Sequence, residues 1–239
     1  MKSRMKKWLA LLSLVVVPVA QAQNMAAPIL DQLAKTYGRD SWDQVEAIRF
    51  TFNVEPPKLS RSWVWEPKAD RISYDGPDKD GTPIKITYSH SQLASQSGLV
   101  KEMVDPAFIN DQHALLLPLF FARDTGVTVD DAGMQKGHLL KGSARKIVVK
   151  YPSDSGGYTP GDTWELFLGN DGRLRELVLR HGGAVKPAVT YATWADHKQV
   201  GPLLISLDKR GTGDGKPLHV FFTNVAVKLV GSSTWIDAK

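Results

Sequence analysis

Apolar and polar residues alternate with a period of two along most of this chain. Ile48, Phe50, Phe52 and Val54 are separated by Arg49, Thr51 and Asn53, which predicts a strand with one buried face. Trp63 to Glu66, Arg71 to Tyr74 and Ile84 to Tyr88 repeat the pattern, with Asp75-Gly76 and Asp80-Gly81 as turns. Further on, Ile147, Val149 and Tyr151 alternate with Lys146, Val148 and Lys150. Trp164, Leu166 and Leu168 run into Asn170-Asp171-Gly172, a hairpin signal, and Leu174 to Arg180 returns. Val189 to Trp194, Leu203 to Leu207 and His219 to Leu229 follow, with Gly211 to Gly215 as a wide turn and a short last strand at Trp235 and Ile236.

The period changes in two places. Pro28 suits the first turn of a helix, and Ile29, Leu30, Leu33, Ala34 and Tyr37 form one apolar stripe that Gly38 terminates. Ser41 with Gln44 has the spacing of a capping box for a short second turn. Later, Asp105-Pro106 reads as an N-cap followed by a first-turn proline. Phe108, Ile109, Leu115, Leu116, Leu119 and Phe120 then form a helical stripe, which Pro118 is expected to kink or break. A broken apolar helix between strands suits a cover laid over a sheet.

Short turns between strands argue for an antiparallel meander of about ten strands. The fold class expected is mostly β with a helical cover (α+β). Helix–strand alternation is missing, which argues against a doubly wound parallel sheet.

Charge alters this picture little. The 239 residues carry a formal charge of +5. Lys2, Arg4, Lys6 and Lys7 supply four of the basic groups, and the rest of the chain holds 26 basic against 25 acidic residues. A nearly neutral body has no electrostatic reason to bind nucleic acid. Met1 to Lys7 reads as a basic leader, Trp8 to Val19 as an apolar run shorter than the roughly 20 residues of a membrane span, and Ala20-Gln21-Ala22 as a cleavage site. The expectation is a signal peptide over residues 1–22 and a single domain over 23–239, periplasmic, not membrane-spanning and monomeric. With no cysteine, disulfides, thiolate metal sites and a cysteine nucleophile are excluded.

Candidate chemistry is sparse. Ser153-Asp154-Ser155-Gly156-Gly157 is similar to the nucleophile loop of trypsin-like proteases, but the flanking motif for a histidine base is absent, and a solvated hairpin loop suits these residues better. Asp75, Asp78 and Asp80 before Gly81 resemble a calcium loop, yet Gly76 stands where a carboxylate ligand is needed. The six histidines, His90, His113, His138, His181, His197 and His219, show no metal-ligating spacing, and Asp196-His197 would point to opposite faces of a strand. No catalytic residue, metal or cofactor is therefore expected; a hydrolase built on Ser155 and a distant histidine is the weakest alternative.

Apolar supply stands out instead. Aromatic residues recur at alternating strand positions, as at Phe50, Phe52, Trp63, Trp65, Tyr74, Tyr88 and Trp164. Most such side chains build a core, but a curved sheet under a broken helix could also enclose an apolar cavity. The stretch Trp63-Val64-Trp65-Glu66-Pro67 through Tyr74, the strand–turn–strand Asp162 to Gly172, and Trp194 through Gly201-Pro202-Leu203 resemble the periplasmic lipoprotein-carrier (LolA-like) family of the outer-membrane lipoprotein sorting pathway. Leu115 to Asp124 is closer to uncharacterised relatives of those carriers. The resemblance implies an incomplete antiparallel β-barrel of about ten or eleven strands with a helical lid. It further implies a binding role for a lipid or the acyl chains of a lipoprotein, with acylated and other envelope proteins as partners. The cavity would be lined by Phe50, Phe52, Trp63, Trp65, Tyr74, Ile86, Tyr88, Leu116, Leu119, Phe120 and Trp164. Glu66 departs from the basic residue that the carriers commonly place before the proline, at the expected cavity mouth. That departure motivates a second reading: an envelope interaction or sensor module with the same fold and a filled core.

Overall fold

The alternating segments form strands, and all of them join one antiparallel sheet. A computed structural model describes residues 20–124, 126–153, 159–182 and 188–239, with 20–27 as backbone. The strands are β1 (Val45–Glu55), β2 (Leu59–Glu66), β3 (Arg71–Pro77), β4 (Pro83–Tyr88), β5 (Thr128–Lys136), β6 (Ser143–Lys150), β7 (Thr163–Leu168), β8 (Leu174–Arg180), β9 (Val189–Thr193), β10 (Ala195–Val200), β11 (Leu203–Gly213), β12 (Lys216–Leu229) and β13 (Trp235–Asp237). Their order is β4-β3-β2-β1-β12-β11-β9-β8-β7-β6-β5, with β10 added to β11 and β13 to β12. The two ends, β4 and β5, are not paired with each other. The sheet is therefore open and curled, as the mostly-β expectation requires, with 13 strands among the described residues.

Two helices cover the inner face. Helix α1 (Ala20–Thr36) buries Leu30, Leu33 and Ala34, and Tyr37 follows it into the core. Helix α2 (Asp105–Phe120) buries Phe108, Leu115, Leu116 and Leu119. The first packs on the second and on β5, while α2 reaches β11. Gly38 ends the first helical segment at φ +99°, and a Cβ there would lie 2.4 Å from the Pro202 carbonyl, so both backbone angle and space call for glycine.

Several local expectations are corrected. The first helix starts at Ala20 and carries Pro28 inside it rather than at its first turn. Ser41 lies within a 3-10 turn, Arg39–Gln44, whose N-terminal flank is Gly38, so no capping box forms. Asp105 is not an N-cap, because a π-helical turn, Val100–Val104, runs straight into α2. Pro118 does not break α2. It removes one N–H donor near the C-terminal end, but the helix runs on to Phe120 and the Phe121 N–H still reaches the Leu117 carbonyl. Gly76 continues β3 opposite Ile84, and the turn comes at Asp78–Thr82 instead. Likewise β11 extends to Gly213, and β12 begins at Lys216. Asp214 at φ 50° and Gly215 at φ 76° are the two central residues of that hairpin, the left-handed pair that matches strand twist.

Two strands escaped the alternation, β5 and β10. Both are polar and lie where one side of the strand is unpaired, so neither has an apolar face to show. Residues 1–19 of the expected leader over 1–22, and Asp154 to Gly157 of the protease-like loop, Ser155 included, lie outside the described residues.

Candidate apolar binding site

Strand register brings the inner-face side chains into rows. Leu59 on β2 pairs with Val54 on β1, Val54 with Val220 on β12, and Val220 with Lys209 on β11. A second row runs from Leu218 on β12 through Gly211 to Ala192 on β9 and Leu177 on β8. A third joins Thr190, Leu179 and Trp164. Over these rows lie Asn110, His113, Ala114 and Leu117, one face of α2 at helical spacing. Sheet and helix do not meet fully, and they leave a hollow of about 460 Å³ bounded by these residues together with Phe52, Arg61, Thr159, His181 and Trp194. That volume lies within the range of small-molecule sites, about 300–1,000 Å³.

The hollow has a buried floor and a polar rim. Phe52, Leu117, Trp164, Leu177, Ala192, Trp194 and Lys209 are buried, whereas Asn110 and His181 are exposed. His181 pairs with Asp162 at 3.0 Å. His113 Nδ1 donates to the Ile109 carbonyl, 2.8 Å away, and burial holds its pKa below the ordinary value.

An ion pair fastens α2 to the sheet beside the hollow. The Arg61 guanidinium donates twice to Asp111, at 2.8 and 2.5 Å, and Trp63 Nε1 donates to the same carboxylate at 2.9 Å. Asp111 is fully buried, and burial pushes its pKa up while Arg61 offsets part of the rise. A second tie links β4 to the start of α2: Asp105 accepts from the Tyr88 hydroxyl at 3.0 Å and contacts His90 Nδ1 at 2.7 Å. Burial drives the Tyr88 pKa upward, so the hydroxyl keeps its proton.

Lys209 differs from these. Its side chain is buried at 3% exposure, its Nζ donates to the Ser206 carbonyl at 2.9 Å, and among the described residues no carboxylate pairs with it. The Nζ lies 4.2 Å from the Trp194 ring centre and 4.4 Å from that of Phe222. Burial drops its pKa well below the ordinary lysine value, and Asp208 opposes the drop only in part.

Of the eleven side chains expected to line a cavity, Phe52 and Trp164 border this hollow. The other nine lie elsewhere. Phe50 packs edge-on against Phe222 at 6.1 Å. Trp63 packs on Tyr74 at 4.6 Å and on Phe108 at 5.4 Å, and Trp65 lies between Phe108 and Trp42. Leu116 and Leu119 are core, Phe120 adjoins the His113 ring at 4.7 Å, and Tyr88 is held by Asp105. Trp63, Tyr74 and Ile86 also border a second hollow of about 360 Å³ over β2–β4. Glu66 does not reach the 460 Å³ hollow; it pairs with Arg71, its register partner on β3.

Sequence reading missed Leu177, Leu179, Thr190, Ala192, Lys209, Leu218 and Val220. For Lys209 a signal existed: it is in phase with Ile205 and Leu207 on one strand. Ending that strand at Leu207 hid it. The acidic turn also has a local explanation, since Asp75 pairs with Lys85 and Asp78 accepts from the backbone N–H groups of Asp80 and Thr82.

No family model and no curated protein matches this chain. Solved structures align over most of its length. A DUF1329 family protein from Desulfovibrio piger does so with a TM-score of 0.45 and 10% identity, covering 89% of this chain and 95% of its own. The lipoprotein LppX of Mycobacterium tuberculosis aligns with a TM-score of 0.31 and 11% identity, covering 88% and 98%.

Proposed function

We propose that this protein is a periplasmic binding protein that shelters a lipid, or the acyl chains of a lipid-modified protein, between its sheet and α2. The observation that carries this reading is the 460 Å³ hollow, whose walls are chiefly aliphatic and aromatic. Each buried CH₂ contributes about 0.8 kcal/mol, so a fourteen-carbon chain offers on the order of 10 kcal/mol before ordering and desolvation are subtracted. Such a site holds its ligand rather than converting it, and needs no reactive group. The resemblance of Trp63 to Tyr74 and Asp162 to Gly172 to the lipoprotein carriers supports the same reading.

Organic extraction and mass spectrometry of the purified protein test this reading. Recovery of acyl lipid, and displacement of a bound neutral dye by added acyl compounds, is the expected outcome. If nothing is extracted and nothing displaces the dye, the filled-core interaction module takes its place; the solid packing of Trp63, Trp65, Phe108 and Tyr74 favours that second reading.

A further inference from the structure

We infer that Lys209 anchors a carboxylate, and that the preferred occupant of the hollow is a free long-chain fatty acid rather than a neutral acyl lipid. This anchor presupposes the acyl-chain site proposed above and adds the chemistry of its polar end.

An ammonium in an apolar wall is costly unless paired. Arg61, the other strong cation at the hollow, is already matched by Asp111. Lys209 is not so matched among the described residues, and its hydrogen bond to Ser206 uses one of three donor positions. The faces of Trp194 and Phe222 favour a cation between them but supply no anion. A carboxylate arriving from the hollow provides what is missing: a charge partner and acceptor oxygens for the remaining N–H groups.

The remaining wall suits the tail. Val54 and Val220 share the row of Lys209, and Leu218, Ala192 and Leu177, then Leu179 and Trp164, form further rows of the same wall. The charge balance is also favourable. Burial holds the empty site's amine toward its neutral form. A fatty acid that enters protonated can pass its carboxyl proton to Nζ, giving carboxylate and ammonium together with no net charge moved into the interior. An ester or an alcohol has no such acidic proton and no charge to offer.

Competition between a neutral dye and three ligands of equal chain length tests the anchor on the delipidated full-length protein: palmitic acid, methyl palmitate and hexadecanol. Palmitic acid is expected to bind about tenfold or more tightly than the other two. Lys209→Met should abolish that preference, so that acid, ester and alcohol bind the variant with similar affinity. Equal affinity for all three in the unaltered protein overturns the anchor and leaves the acyl-chain reading standing. Binding of none of the three overturns both. The ligand comparison in the unaltered protein decides the matter even if Lys209→Met fails to fold. If that variant folds and still prefers the acid, the anchor is overturned.

Discussion

Single residues show where this protein ties its helices down and where it tolerates a cost. Asp111 receives Arg61, Trp63 and Asn110 at one buried carboxylate. Asp111→Ala leaves the guanidinium and indole donors without their partner, and should destabilise the protein by about 3–5 kcal/mol in urea titrations. Lys209→Met should act in the opposite direction. With no ligand bound, an apolar side chain of similar length is expected to raise stability by about 1–4 kcal/mol. Tyr37 and His197 give a third case. The Leu174 N–H donates to the Tyr37 hydroxyl at 3.1 Å, which leaves its own proton for His197 Nε2 at 2.8 Å. Burial, with Arg175 and Arg173 nearby, lowers the His197 pKa from 6.5 to about 4, and Asp171 opposes this. The unfolded chain thus takes up a proton near pH 6.5 that the folded chain refuses until about pH 4. Stability is full above that window and falls within it as pH drops. His113 is shifted in the same sense and adds to the slope. Melting temperatures of the parent and His197→Gln across this range check the assignment: the variant should show the shallower decline.

At the scale of elements, strand junctions matter more than strand propensity. Gly211 is where β11 pairs with β9 on one side and β12 on the other. A Cβ there would lie 1.8 Å from the Tyr191 carbonyl oxygen, too close to be absorbed without moving the ladder. Gly211→Ala is expected to cost roughly 1–3 kcal/mol and to expose β9 amides to hydrogen exchange ahead of β1. Legibility from sequence also divides by element. β1 was plain because Ile48, Phe50 and Phe52 face one core. β5 was invisible because an edge strand needs no apolar face, and β10 showed only in the resemblance of Trp194 to Leu203, not in alternation. The extension of β11 through Lys209 was lost because a buried lysine breaks the alternation by which a strand is traced.

The whole molecule joins distant parts of the chain. Asn53 on β1 bonds Thr223 on β12, 170 residues away, and this pairing sits near the middle of the sheet. Binding in a hollow built by such pairings stabilises the entire fold. Fatty acid at about 100 times its dissociation constant should add ~2.7 kcal/mol, raising the melting temperature by roughly 5–10 °C in calorimetry. An unchanged melting temperature at that concentration would count against specific binding. The residues by themselves determined that the chain is an antiparallel β protein under a helical cover, and which face of most strands is apolar. Alternation is a local property, written in neighbours two apart. Only the tertiary structure decided where space remains. A hollow is the volume that packing leaves over, so it depends on the registers joining β1, β12, β11 and β9 and on how closely α2 approaches them. Trp63 and Tyr74 therefore became core, while Leu177, Ala192 and Lys209 became wall.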